Sequence, residues 1–131
     1  MAQTKQYYNI KYPLTINNRN GLFIDLDTTK SNGVLSRILH TILTEKGTRL
    51  RNPNFGTNLT RFIFDPNIST TWESIEDEVK NAINNYVPEA EIKKISVIRD
   101  EGGDDNTILL KMEYSVNVGV TKENKVAVVK L

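Results

Sequence analysis

The chain reads as an α+β protein: two helices packed on a small, mainly antiparallel β-sheet, in a single domain. Three observations predict this. Two stretches, beginning at Ser31 and at Thr70, carry apolar residues at helical spacing. A third, TILLKMEYSVNVGV, alternates apolar and polar residues with the period of a strand. At 131 residues the chain has room for one core, and a domain of this size buries about two thirds of its unfolded surface without disulfide or metal.

Residues 1–20 are polar, with Tyr7, Tyr8 and Tyr12 interspersed. They are expected to form an extended N-terminal arm, ordered when something binds it, ahead of a domain over 21–131. GLFIDLDTT alternates in the manner of a short edge strand or lead-in. From Ser31, Val34, Leu35, Ile38, Leu39, Ile42 and Leu43 form one apolar stripe, and Gly47 is placed to end that helix as a left-handed cap. Thr70 with Glu73 has the spacing of a capping box. Behind it Trp72, Ile75, Val79, Ala82, Ile83 and Tyr86 share a face, and Pro88 stops the helix. Trp72 is expected against the sheet or the 43–66 segment, where as a core residue its truncation would cost about 3–5 kcal/mol.

The remainder is β. EIKKISVIRD sets Ile95 and Val97 on one face and Ile98 on the other, and Asp100–Asn106 has turn composition. Ile108, Leu110, Met112, Tyr114, Val116 and Val118 then point inward. KVAVVKL follows as a third strand after a turn expected at Thr121–Asn124.

Charge narrows the function classes. Seventeen Lys and Arg against sixteen Asp and Glu leave +1, without the basic excess that phosphate binding by counterion release demands, so no nucleic acid is expected. The N-terminal MAQTKQYYNIKYP has no apolar signal region and no run reaches a membrane span, so no membrane role is expected. With no cysteine and one histidine, thiolate metal sites are excluded and His40 has no second histidine at i+4. It reads as a solvated or cap-side residue.

The acidic run DEGGDD lacks the ligand spacing of a calcium loop and reads as a hairpin turn. GTRLRNPNFGT has no lysine and follows a helix, unlike a phosphate loop. Glu73, Glu76, Asp77 and Glu78 fall mainly on the polar face and first turns of the second helix, where the dipole favours them. No catalytic residue, cofactor, metal or small-molecule substrate is expected.

One segment resists these periods. LTEKGTRLRNPNFGTNLTRFIFDP, residues 43–66, packs two glycines, two prolines, three phenylalanines and three arginines into one connection. It resembles the small baseplate wedge proteins of contractile-tailed bacteriophages, whose relatives include a component of type VI secretion and other contractile injection systems. The matching positions are Thr44, Gly47, Arg49, Pro53, Phe55, Gly56, Leu59, Phe62, Phe64 and Pro66. With the second helix and closing strands, the likeness covers about residues 20–131. Members usually end the second helix in Glu-Pro-Arg, where they meet the long helical wedge subunits. Here the triplet is Val87-Pro88-Glu89, so the helix stop is kept and the ionic contact is altered.

The resemblance implies a non-enzymatic structural subunit joining the wedge to tail tube and sheath. It would reside in the virion tail and be assembled in the bacterial host cytoplasm, with other baseplate subunits as partners. The residues expected at its interfaces are Arg49, Arg51, Phe55, Arg61, Pro88 and Glu89. The alternative is a lysozyme-like peptidoglycan hydrolase, because relatives have carried that label.

Overall fold

The computed structural model describes residues 9–12, 14, 16–17, 23–24, 26–27, 29–66, 68–99 and 107–131. Four two-residue strands come first: β1 (Asn9–Ile10), β2 (Ile16–Asn17), β3 (Phe23–Ile24) and β4 (Leu26–Asp27). Helix α1 (Lys30–Leu43), a 3₁₀ helix (Leu59–Phe64) and helix α2 (Ser69–Tyr86) follow. Strands β5 (Ala90–Arg99), β6 (Ile108–Val118) and β7 (Thr121–Lys130) close the chain. The fold is α+β, as expected. β5, β6 and β7 pair in order as one antiparallel sheet, and the two helices meet its inner face.

The helical and strand periods explain the core. Val34, Ile38 and Ile42 of α1 meet Ile75, Val79 and Ile83 of α2 over Leu110, Met112, Tyr114 and Val116 of β6, all buried. Each such aliphatic side chain stabilises the fold by roughly 1.5–3 kcal/mol when fully buried. A bulge between Ile92 and Lys94 shifts the β5 register, so that Ile92 and Ile95 both pack against the core and Ile98 faces outward.

Three local expectations are corrected. Gly47 does not cap α1. Thr44 ends that helix in an extended conformation, and Gly47 (φ +88°) turns the chain three residues later, where Thr48 N–H donates to Glu45 O. Thr70 and Glu73 form no capping box either, because α2 begins at Ser69 and its cap position is Ile68, without a side-chain cap. Thr70 lies inside the first turn, and its carbonyl accepts from the Ser74 hydroxyl. The last hairpin turns at Gly119 and Val120, since Val118 already pairs with Thr121. Gly119 at φ +64° supplies the positive dihedral that the first central position of a type II′ turn needs. The turn expected at Asp100–Asn106 lies outside the described residues.

The described part of the N-terminal arm is extended, and the chain itself holds it. Asn9–Ile10 pair antiparallel with Leu26–Asp27, and Asn9 Nδ2 donates to Gly33 O at 3.0 Å. Tyr12 N–H donates to Ser36 Oγ, which donates in turn to the buried Asp27 carboxylate at 2.6 Å. A buried carboxylate needs such a donor.

Candidate assembly interface

The 43–66 segment is a closed brace. Its two ends are tied together: Thr57 N–H donates to Thr44 O at 2.9 Å, Lys46 N–H to Thr57 O at 3.1 Å, and Thr57 Oγ1 to Ile42 O at 2.7 Å. Across the middle, Gly47 N–H donates to Pro53 O at 2.7 Å. Gly56 makes the closure possible. At φ +105° it lies so near the end of α1 that a Cβ there would sit 2.2 Å from Thr44 O.

Side chains then fasten the brace to both helices. On α1, Arg37, His40, Thr41 and Thr44 follow at i, i+3, i+4 and i+7 beside the apolar stripe. The His40 ring stacks on Tyr12 at 5.3 Å and lies tilted against Phe55 at 5.6 Å; Phe55 meets Tyr86 edge-on at 4.9 Å. Such pairs contribute about 0.5–1.5 kcal/mol each beyond their burial. The Arg49 guanidinium lies 3.8 Å from the centre of the Phe55 ring, and its Nη2 is 2.8 Å from His40 Nε2. Arginine can only donate, so the imidazole presents a lone pair there. Partial burial and then the Arg49 charge push His40 below its ordinary pKa. From α2 the Tyr86 hydroxyl donates to Asn54 O at 2.8 Å.

Two acids of α2 are also engaged, rather than lying on a solvated face. Glu78 accepts from Lys46 Nζ at 2.8 Å and from Asn58 N–H at 3.0 Å. Burial pushes its carboxyl up, but Lys46, the Asn58 N–H and Arg61 outweigh that and hold it below the usual range. Glu76 accepts from Val97 N–H, which fixes α2 to β5.

The six residues named from sequence do not share one spot. Arg49 and Phe55 come together in the aromatic stack. Arg51 is exposed on the brace loop, and Arg61 lies on the 3₁₀ helix with its guanidinium 4.9 Å from the Phe62 ring centre. Pro88 is exposed just beyond α2, and Glu89 forms an ion pair with Arg37, whose other nitrogen donates to Tyr86 O at 3.1 Å. The altered triplet thus has an ionic partner inside its own chain. Burial raises the Glu89 carboxyl, and its own backbone N–H and Arg37 bring it below the usual value. Sequence reasoning missed His40, Tyr12, Tyr86 and Arg37. The polar stripe of α1 was the signal available for two of them.

At the other end of α2 a cavity of about 460 Å³ opens. Ile42, Leu43, Leu59, Phe62, Trp72 and Ile75 line it, with the carboxylates of Glu45 and Asp65 in its wall. Trp72 is half-buried here, packed on the core and lining the cavity together with Leu59 and Phe62 of the brace and Ile108 of the sheet.

The brace immobilises a loop on a two-helix layer, and the whole is a small α+β module. The family model of baseplate wedge protein gp25 matches residues 31–119, and the chain belongs to that family. The baseplate wedge protein gp25 of Enterobacteria phage T4 is 30% identical over 93 residues, 69% of each chain. A solved Geobacter sulfurreducens protein with a tail-lysozyme label is 26% identical, with a TM-score of 0.68 over 80% of this chain and 94% of that one. The anti-feeding prophage baseplate holds a chain of the same fold at 15% identity, with a TM-score of 0.65 over 94% of this chain and 84% of that one. The type VI secretion baseplate complex holds another, also 15% identical, at 0.52 over 75% and 90%. The protein is therefore a baseplate wedge structural component of the kind found in phages and contractile injection systems.

Proposed function

We propose that this subunit joins the baseplate wedge to the tail tube and sheath through protein–protein contacts and has no catalytic role. It acts in the virion tail, is assembled in the bacterial host cytoplasm, and engages neither nucleic acid nor membrane. The observation that carries this is the closed brace. It presents Arg51 from a loop already ordered by its own hydrogen bonds, so docking costs little conformational entropy. Pro88 is presented just beyond the neighbouring helix end.

The test is complementation of a deletion with alanine variants, counting complete particles. Arg51→Ala is expected to leave the melting curve of the free protein unchanged and to lower particle yield. Pro88→Ala is read in the same way. Arg49→Ala, Arg61→Ala and Glu89→Ala will also lower monomer stability, because these residues have partners in the chain. Full yield from all five variants overturns the interface assignment.

A hydrolase is the second reading, favoured by Glu45 and Asp65 in one apolar cavity and by the labelled Geobacter relative. Purified protein is expected to show no peptidoglycan turnover between about pH 4 and 8. Sustained turnover abolished by Glu45→Gln or Asp65→Asn would establish the hydrolase instead.

A further inference from the structure

We infer that the cavity at the N-terminal end of α2 is a docking groove for an amphipathic helix of a partner protein, one carrying large apolar anchors flanked by Lys or Arg. It is a second surface, roughly 25 Å along α2 from Pro88 at a rise of about 1.5 Å per residue. It uses the 3₁₀ end of the brace but neither Arg51 nor the Val87–Glu89 turn, so it stands whether or not those bind anything.

Size and lining come first. About 460 Å³ lies within the range of roughly 300–1,000 Å³ typical of binding pockets, room enough for a few aliphatic side chains. Apolar side chains are also exposed in the segment that frames the cavity. Leu43 in its wall is 49% exposed, and Phe64 and Ile68, beside the lining residues Asp65 and Pro66, are 90% and 52% exposed. Single exposed apolar residues are ordinary, but several in the segment that frames a concave apolar floor mark an interaction site. The surface is built from the ends of α1 and α2, the brace with its 3₁₀ helix, and the sheet end at Ile108 and Leu131.

Charge then selects the partner. The wall holds two carboxylates, Glu45 and Asp65, and no lysine or arginine. Glu45 accepts from the Thr60 hydroxyl at 2.9 Å, whereas Asp65 has no side-chain partner among the described residues. In a chain of net charge +1 this is a local departure, and it favours cations beside the partner's anchors.

Backbone chemistry selects the conformation. An added strand would need unpaired N–H and C=O groups in the groove. The sheet end that lines it has none to offer, because Ile108 N–H and Leu131 N–H each donate to the other's carbonyl. Of the loop walls, Thr44 O and Thr57 O already accept from Thr57 N–H and Lys46 N–H, and on α2 the Thr71 and Trp72 N–H groups both donate to Ile68 O. A bound helix satisfies its backbone internally and needs only side-chain pockets.

Trp72, the only tryptophan, lines the groove and reports its occupancy. The experiment titrates the full chain with three 18-residue helical peptides sharing leucines at i, i+3, i+4 and i+7. Their flanking residues are Lys, Gln or Glu. Saturable change in Trp72 emission is expected with the Lys peptide, and about tenfold or weaker binding with the Glu peptide. Leu43→Ser and Phe64→Ser, both at exposed positions and checked by circular dichroism, should each weaken the Lys peptide about tenfold. Asp65→Lys should reverse the order of the Lys and Glu peptides. Equal binding of all three peptides, no saturable binding, or an order unchanged by Asp65→Lys overturns the inference.

Discussion

The two ends of α2 are built oppositely. At the C-terminal end Tyr86, Phe55, His40 and Tyr12 stack in sequence, and Arg37 closes onto both Glu89 and the Tyr86 carbonyl. At the N-terminal end Trp72 and Phe62 border open space. One helix thus has a sealed end, where most polar groups find partners in the chain although Glu89 Oε2 is buried without one, and a gapped end, where apolar side chains packed on the core also border a cavity. The stretch from Phe55 to Thr57 is the partition, with Phe55 on the sealed side and Thr57 lining the gap. Packing quality within one helix varies with what the surrounding loops supply: here the brace seals one end and borders a gap at the other.

The largest effect should come from breaking that partition. Gly56→Ala puts a methyl into the Thr44 carbonyl at a dihedral that favours glycine, and about 3 kcal/mol or more of stability should be lost in a urea melt. Gly47→Ala is the matched control. Its φ is also positive but nothing lies within 4 Å, so about 1 kcal/mol is expected. Similar losses for the two would mean that close approach to α1 is unimportant.

Next come the two aromatics facing each way. Phe55→Ala removes two ring contacts and the seat of Arg49 and should cost about 2–3 kcal/mol. Trp72→Ala, bordering space already empty, should cost about 1–2 kcal/mol, less than the roughly 3–5 of a sealed core residue. If the order reverses, the gapped end is the better packed one.

Smaller still is the ion pair. Both Arg37 and Glu89 are about one-third exposed, so screening limits Arg37→Ala to about 0.5–1 kcal/mol. The Glu89 carboxyl is depressed in the fold, so its contribution is present above the unfolded value of about 4.5 and fades as pH falls below it.

The smallest effect is the pH dependence of His40. Its folded pKa is lowered, so the fold favours the neutral ring; that contribution is complete above the unfolded value of 6.5 and is lost as pH falls below it. Melts at pH 7.5 and 5.5 should show a slightly steeper loss for wild type than for His40→Asn.

Period and composition made the helices, the inner face of β6 and the Pro88 stop legible, because each depends on residues near in sequence. The family pattern marked the brace but not its work. Gly47 looked like a helix cap because the extended conformation of Thr44 leaves no trace in residue type. His40 looked solvated because Tyr12 and Phe55, its ring partners, lie 28 residues before it and 15 after it in the chain. The Arg37–Glu89 pair spans 52 positions and is equally invisible to local spacing.

Strand β7 lies at the margin of its sheet, with β6 on one side, and Val126 and Val128 are 61% and 59% exposed along it. Ten residues of open ladder invite a second molecule to add itself edge to edge. Lys122, Lys125 and Lys130 punctuate that margin, with Lys122 paired to Glu91 and Lys125 to Glu123. A copy added edge to edge would have to desolvate these charges, so they guard the free subunit against stray self-pairing.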